Sequence, residues 1–244
     1  MFLQTNAFRR WVLLAVWLSC AEASASVVIS STRVVYPADQ AEITVKLSHE
    51  GRNPSLVQAW IDDGRSQADV AALQVPFNLA PSLFRLDPGK GQSLRLFHTG
   101  EAMPRDRESL FWLNVLDVPP KGAGNVLQVA LRTRIKLFYR PIALSGKAAQ
   151  AHEALRWHAW RDGSGWKLQA DNPGPYFVNL ARLDVLHKGQ RLEAEPGHIA
   201  PFASASFSVS GLDSGDDIEL RYAFIDDYGA VHERPDAVTV ARAD

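Results

Sequence analysis

The chain has 244 residues, with 26 Lys+Arg against 27 Asp+Glu, a formal net charge of −1 that offers no basic field to nucleic acid. Hydrophobic residues make up 46% and charged residues 22%, which excludes wholesale disorder. One cysteine excludes an internal disulfide framework and a Cys-based zinc cluster, and no apolar run reaches the roughly 18–20 residues that stable membrane insertion would need.

The chain opens with Arg9 and Arg10, an apolar run from Trp11 to Leu18, and the small residues Ala23-Ser24-Ala25. A positive start, a short apolar stretch and an A-x-A end predict a secretory signal over 1–25, cleaved before Ser26. The flanks of the paired arginines do not support twin-arginine export. Trp17 stands where a lipoprotein signal would want Leu. Cleavage would leave 219 residues, 244 less 25, with no cysteine, stabilised by core burial alone.

Beyond the signal the pattern is strand-like. Runs at 27–29, 34–36, 41–47, 56–61, 93–97, 110–116 and 126–139 are β-rich or alternate apolar with polar residues. Turn signals separate them, among them Pro37-Ala38-Asp39, Asp62-Asp63-Gly64 and Asp87-Pro88-Gly89-Lys90-Gly91. A small, polar segment at 145–150 has the composition of a linker. Strand-like runs resume at 166–170, 176–180, 183–186, 205–209 and 218–225. Short strands with turns about every 8–12 residues indicate all-β sandwiches rather than βαβ units. The expected division is a signal at 1–25, one domain at 26–144 and a second at 145–244.

No catalytic or metal-binding constellation emerges. The seven histidines form no H-E-x-x-H, and there is neither a G-x-S-x-G elbow nor a G-x-x-x-x-G-K-[ST] phosphate loop. Gly89-Lys90-Gly91 reads as a hairpin turn. The neighbours Asp62-Asp63, Asp216-Asp217 and Asp226-Asp227 would face opposite sides of a strand, so they read as turn or solvated residues. The expectation is a protein that is not an enzyme, with no cofactor, no metal and no nucleotide.

The informative stretch is 105–141. It holds Leu110-Phe111-Trp112-Leu113-Asn114-Val115, then Val118-Pro119-Pro120. It goes on through Asn125-Val126-Leu127-Gln128-Val129-Ala130-Leu131-Arg132-Thr133-Arg134-Ile135-Lys136-Leu137-Phe138-Tyr139-Arg140-Pro141. With Ser31-Thr32-Arg33-Val34, Arg85-Leu86-Asp87-Pro88-Gly89, Asn172-Pro173-Gly174-Pro175-Tyr176 and Asp227-Tyr228-Gly229, it closely resembles the periplasmic chaperones of the chaperone–usher pathway. The resemblance spans nearly the whole mature chain.

It implies two immunoglobulin-like β-sandwich domains set at an angle with a cleft between them. It also implies a periplasmic protein that folds pilus or fimbrial subunits by donor-strand complementation and escorts them to an outer-membrane usher. By the same resemblance Arg33 and Lys136 would anchor the subunit's C-terminal carboxylate, a task suited to a guanidinium fork beside an ammonium point charge. Leu127, Val129 and Leu131 alternate along one strand face; pattern alone would turn them to the core, whereas the resemblance makes them the donor strand. Strict alternation puts Lys136 on the opposite face from that row, which a bulge or strong twist would reconcile. Glu108, Arg140 and Asp227 match an interdomain ion-pair network.

Ala80-Pro81-Ser82 departs from a Pro-Pro pattern, leaving the peptide isomer open, and 64–75 reads as a surface insertion. The short loop at 117–125 resembles short-loop members. Two other readings stand beside the chaperone: a pilus structural subunit or adhesin, and a secreted enzyme using its tryptophans as a stacking platform.

Overall fold

The computed structural model describes residues 26–67, 69–122, 124, 127–162, 165–234 and 238–242. The expected signal at 1–25 lies outside them.

Strands β1 (Val27–Ile29), β2 (Arg33–Pro37), β3 (Glu42–His49), β4 (Ser55–Asp62), β5 (Phe77–Ala80), β6 (Leu83–Leu86), β7 (Gly91–His98), β8 (Ser109–Val118) and β9 (Leu131–Arg140) build the first sandwich. One sheet has the order β1-β3-β7-β5 and the other β2-β9-β8-β4-β6. Alternation decides which side chains meet between them. Val45 and Leu47, Val57 and Ile61, Leu94 and Leu96, Leu113 and Val115, and Ile135 and Leu137 fall in one buried cluster. Tyr36 is fully buried, and its hydroxyl satisfies itself on backbone, accepting from the His98 amide at 3.1 Å and donating to the Gln40 carbonyl at 3.0 Å. The Ala80–Pro81 bond between β5 and β6 is cis, which settles the isomer left open by the sequence.

A 3₁₀ helix, Ala148–Ala154, opens the second domain, so the expected linker is partly helical; Ala151 is buried against the core. Strands β10 (Arg156–Asp162), β11 (Gly165–Asn172), β12 (Val178–His187), β13 (Gln190–Ala194), β14 (His198–Ile199), β15 (Ala203–Ser208), β16 (Ile218–Ile225), β17 (Val231–Glu233), β18 (Val238–Thr239) and β19 (Ala241–Arg242) follow. One sheet runs β15-β11-β10-β19; the other runs β13-β12-β16-β17, with β14 also on β12 and β18 on β16.

The sequence reading needs three corrections. The expected strands 176–180 and 183–186 are one strand, β12, whose ladder with β16 shifts register between Leu180 and Arg182. That break in period is what split them. The expected run 126–139 becomes a strand only from Leu131; Leu127 to Ala130 have no ladder partner, and Val126 lies outside the described residues. Strands β5, β6, β10 and β13 were missed, as were the short β14, β17, β18 and β19. In β10 the outward positions include His158 and Trp160, so polar alternation is weak although Trp157 and Ala159 are buried. Within 64–75 the chain makes one 3₁₀ turn, Val70–Ala72, whose start is capped by the Asp69 carboxylate accepting from the Ala71 amide at 3.0 Å.

Candidate functional site

Strands β2 and β9 pair in parallel, and their register sets Arg33 directly beside Lys136. Arg33 is only 9% exposed. Its Nη1 donates to the Ile225 carbonyl of the second domain at 3.2 Å, while its Nε is buried with no partner. The Lys136 ammonium donates to Asn179 Oδ1, again across the domains, and lies 5.7 Å from the Trp112 ring centre. Burial, then the charge of Arg33, bring the Lys136 amine down to about 8. Burial also pulls Arg33 below its ordinary value, against the raising influence of Asp227 and Asp226. His198 is lowered too, by burial and by Lys136, which favours its neutral form. Neither cation has an ion-pair partner among the described residues. Two partly desolvated positive charges side by side are costly to hold without an anion.

The face of β9 that carries Lys136 also carries Arg134 and Arg132. Arg134 lies 4.0 Å from the Trp112 ring centre and Arg132 4.9 Å from that of Trp60. Asp62, fully buried, accepts from Arg134 Nη2 at 2.6 Å and from Asn114 Nδ2 at 2.8 Å. Asp62 is thus a turn residue, its Oδ1 accepting from the Gly64 amide at 2.7 Å, but not the solvated one the sequence left open. Burial pushes its carboxyl up, but hydrogen bonds from Arg134, Asn114 and the Gly64 amide outweigh that and hold it below the ordinary value. Asp226 is a turn residue too: its Oδ1 accepts from the Tyr228 and Ala230 amides, each at 2.9 Å.

The ladder between β8 and β9 runs unbroken from Ser109↔Tyr139 to Asp117↔Leu131. No bulge intervenes, so Leu131 shares a face with core residues Ile135 and Leu137, and Lys136 projects from the other face. Leu127, Val129 and Leu131 nevertheless lie in solvent, 92%, 68% and 42% exposed. They continue the core-facing row past the end of the sandwich that would cover it. Strand β2 pairs only with Lys136 to Arg140, so from Leu131 to Ile135 β9 has a free edge among the described residues.

Arg140 ties the domains together. Its Nε donates to Glu108 Oε1 at 2.6 Å, and its two terminal nitrogens grip Asp227 at 2.7 and 2.8 Å. The second oxygen of Glu108 accepts from the Phe177 amide at 2.8 Å. Burial raises the Glu108 carboxyl, partly opposed by Arg140. The turn that carries Asp227 packs tightly on the first domain. A Cβ at Gly229, whose φ is +88°, would stand 2.0 Å from Thr32 Oγ1, so only glycine fits there. Buried Asn172 fixes the neighbouring loop, donating to the Tyr176 and Ala200 carbonyls at 2.8 and 3.1 Å and accepting from the Gly174 amide at 3.0 Å.

The sequence reading missed Asn179, Trp112 and the Asp62–Asn114 pair. Asn179 left one signal, a lone amide inside the apolar run Phe177-Val178-Asn179-Leu180.

Family comparison is decisive. The family of pili and flagellar-assembly chaperones, PapD N-terminal domain, matches residues 26–145, and that of the pili assembly chaperone PapD, C-terminal domain, matches residues 150–235. The chain belongs to the PapD-type pilus-assembly chaperones. It is 46% identical over 217 residues to the chaperone protein FimB/FhaD of Bordetella pertussis, covering 86% of each chain. It is 40% identical to the probable fimbrial chaperone YadV of Escherichia coli, over 86% of this chain and 88% of that one. The crystal structure of the YadV chaperone superposes with a TM-score of 0.76 at 40% identity, covering 86% of this chain and 98% of that one. A Salmonella enterica complex of the SafA pilin with the SafB chaperone matches with a TM-score of 0.71 at 29% identity, over 87% and 96% of the two chains. This is a fimbrial chaperone with two PapD-type β-sandwich domains. These matches set it among the chaperones rather than among structural subunits or adhesins.

Proposed function

We propose that this chaperone works in the periplasm, captures pilus subunits as they fold, and hands them to an outer-membrane usher. Arg33 and Lys136 take the subunit's C-terminal carboxylate. Residues Leu127, Val129 and Leu131 enter the subunit as a missing strand, and Glu108, Arg140 and Asp227 hold the two domains at the working angle. The observation that carries this reading is buried Arg33 beside half-buried Lys136, neither ion-paired among the described residues, at the root of a strand with a free edge and an exposed apolar row. A C-terminal carboxylate supplies the missing charge. The chain leading to it can then pair with the β9 edge, the strand-addition mode attested for chaperone–pilin complexes. Each aliphatic side chain that becomes buried contributes roughly 1.5–3 kcal/mol before the costs of association. Such an edge would invite aggregation without a regular partner.

The relatives support the setting. SafB was crystallised with a pilin, and SfaE, 30% identical, is named a periplasmic chaperone. The test is co-expression of the tagged chain with its fimbrial subunits, followed by recovery of complexes from periplasm. Arg33→Ala and Lys136→Ala should export and fold, yet each should lose most of the stable complex. Val129→Asp should lose it with both cations intact. Full recovery of complex in both cation variants would overturn the carboxylate assignment.

A further inference from the structure

Next to Arg33 the two domains enclose a cavity of about 110 Å³. At roughly 30 Å³ of liquid volume per water, it has room for about three or four waters or one short side chain. Its apolar wall is built on three phenylalanines. Phe138 comes from β9, Phe177 precedes β12 and Phe224 stands near the end of β16, while the exposed Tyr228 in the following turn edges the opening. Phe138 and Phe177 lean on each other at 5.6 Å, and Phe224 is stacked with His152 at 3.7 Å and with His232 at 5.4 Å. The three phenylalanines are therefore held in place by other rings.

One anchor of the proposed carboxylate site borders this cavity, and the other is tied to its wall. Arg33 lines it directly, nine-tenths buried and with Nε unpartnered, and so does Asn179, the residue that holds Lys136. A carboxylate gripped by Arg33 brings the Cα of the same residue to the cavity mouth. Glu108, Asp226 and Asp227 also line the space, against Arg140. Once Arg33 is taken up by the terminal carboxylate, acids outnumber the remaining guanidinium in the wall.

We propose that this cavity receives the side chain of the subunit's last residue and selects clients that end in a short apolar residue. The inference rests on the carboxylate-anchor reading, and adds to it a specificity that the anchor alone cannot provide. Glycine leaves the cavity unfilled. Leucine fills it, tryptophan exceeds it, and aspartate meets the acidic excess. Each methylene that leaves water there raises affinity by at most about fourfold.

The probe is a fluorescein-labelled peptide of alternating valine and serine, ending in Gly, Ala, Val, Leu, Trp or Asp and titrated into the full chain by anisotropy. Affinity should climb from glycine to leucine and fall for tryptophan and aspartate. Ala149 lies exposed at the start of the 3₁₀ helix and lines the cavity. Ala149→Leu should therefore weaken the leucine peptide at least fivefold more than the glycine peptide. A C-terminally amidated leucine peptide separates the two claims. If the free acid outbinds the amide but the terminal side chain makes no difference, the cavity proposal is wrong and the anchor stands. If acid and amide bind alike, both fall.

Discussion

Raising the pH from 7 to 9 should weaken carboxylate capture about tenfold while making the free chaperone more stable. Both effects come from Lys136, whose amine burial and Arg33 bring down to about 8. At that value the ammonium is about nine-tenths populated at pH 7 and about one-tenth at pH 9, whereas an ordinary lysine near 10.4 stays almost fully charged. The peptide carboxylate, with a pKa near 3.5, is ionised throughout. Binding an anion favours the protonated amine, so above pH 8 the complex must take up a proton that the free site has lost. Affinity then falls by up to tenfold per pH unit. Folding has the opposite sign. The folded value lies below the unfolded value of 10.5, so between pH 8 and 10.5 the unfolded chain binds more protons and stability rises with pH. The assay is anisotropy of a leucine-terminated peptide at constant ionic strength, wild type against Lys136→Arg. An arginine keeps its charge across the window, and its profile should be flat. Equal wild-type affinity at pH 7 and 9, or an equal slope in the arginine variant, would refute the argument.

Glu108→Ala strips a buried partner from Arg140 and orphans the Phe177 amide. Since Arg140 keeps Asp227, the loss should be about 1–3 kcal/mol, read by denaturant unfolding, and should broaden the interdomain distances seen by small-angle scattering. Gly229→Ala adds a methyl 2.0 Å from Thr32 Oγ1 at a left-handed φ, so it should lower the melting temperature. Thr32→Ala in the same chain should restore only the steric share, leaving about 1–2 kcal/mol of backbone strain. Asn172→Ala removes two side-chain hydrogen bonds to the loop before β12 and one to Ala200 after β14, and should cost about 2–3 kcal/mol, with chemical-shift changes confined to 172–177 and 199–202. An unchanged melting temperature in that variant would contradict the part assigned to Asn172.

Much of this molecule could be read one residue at a time. Period-two alternation reports which face of a strand is buried, and it marked β3 and β7, whose apolar positions do fall in the core, while β4, β8 and β16 were legible as β-rich runs. Family motifs singled out Arg33, Lys136, Glu108, Arg140 and Asp227; the structure sets the first two side by side and joins the other three by hydrogen bonds. Where the period falters the reading failed, as at the register shift in β12 and in β10, with its outward tryptophan.

Alternation could not say whether Leu127, Val129 and Leu131 are covered, because burial depends on how far the neighbouring strands extend. Leu127 and Val129 precede β9 with no ladder partner, and β2 stops short, leaving Leu131 to Ile135 of β9 open on that side. Nor could the sequence reveal that Asp62 is buried under Arg134, that Asn179 reaches Lys136 from the other domain, or that three phenylalanines line a cavity beside Arg33. The sequence alone determined the all-β architecture and the chemical types available to the site, because both follow from local period and residue identity. Only the tertiary structure decided the lowered proton affinity of Lys136, the free edge and the cavity, because these are set by contacts between residues 43 to about 190 positions apart.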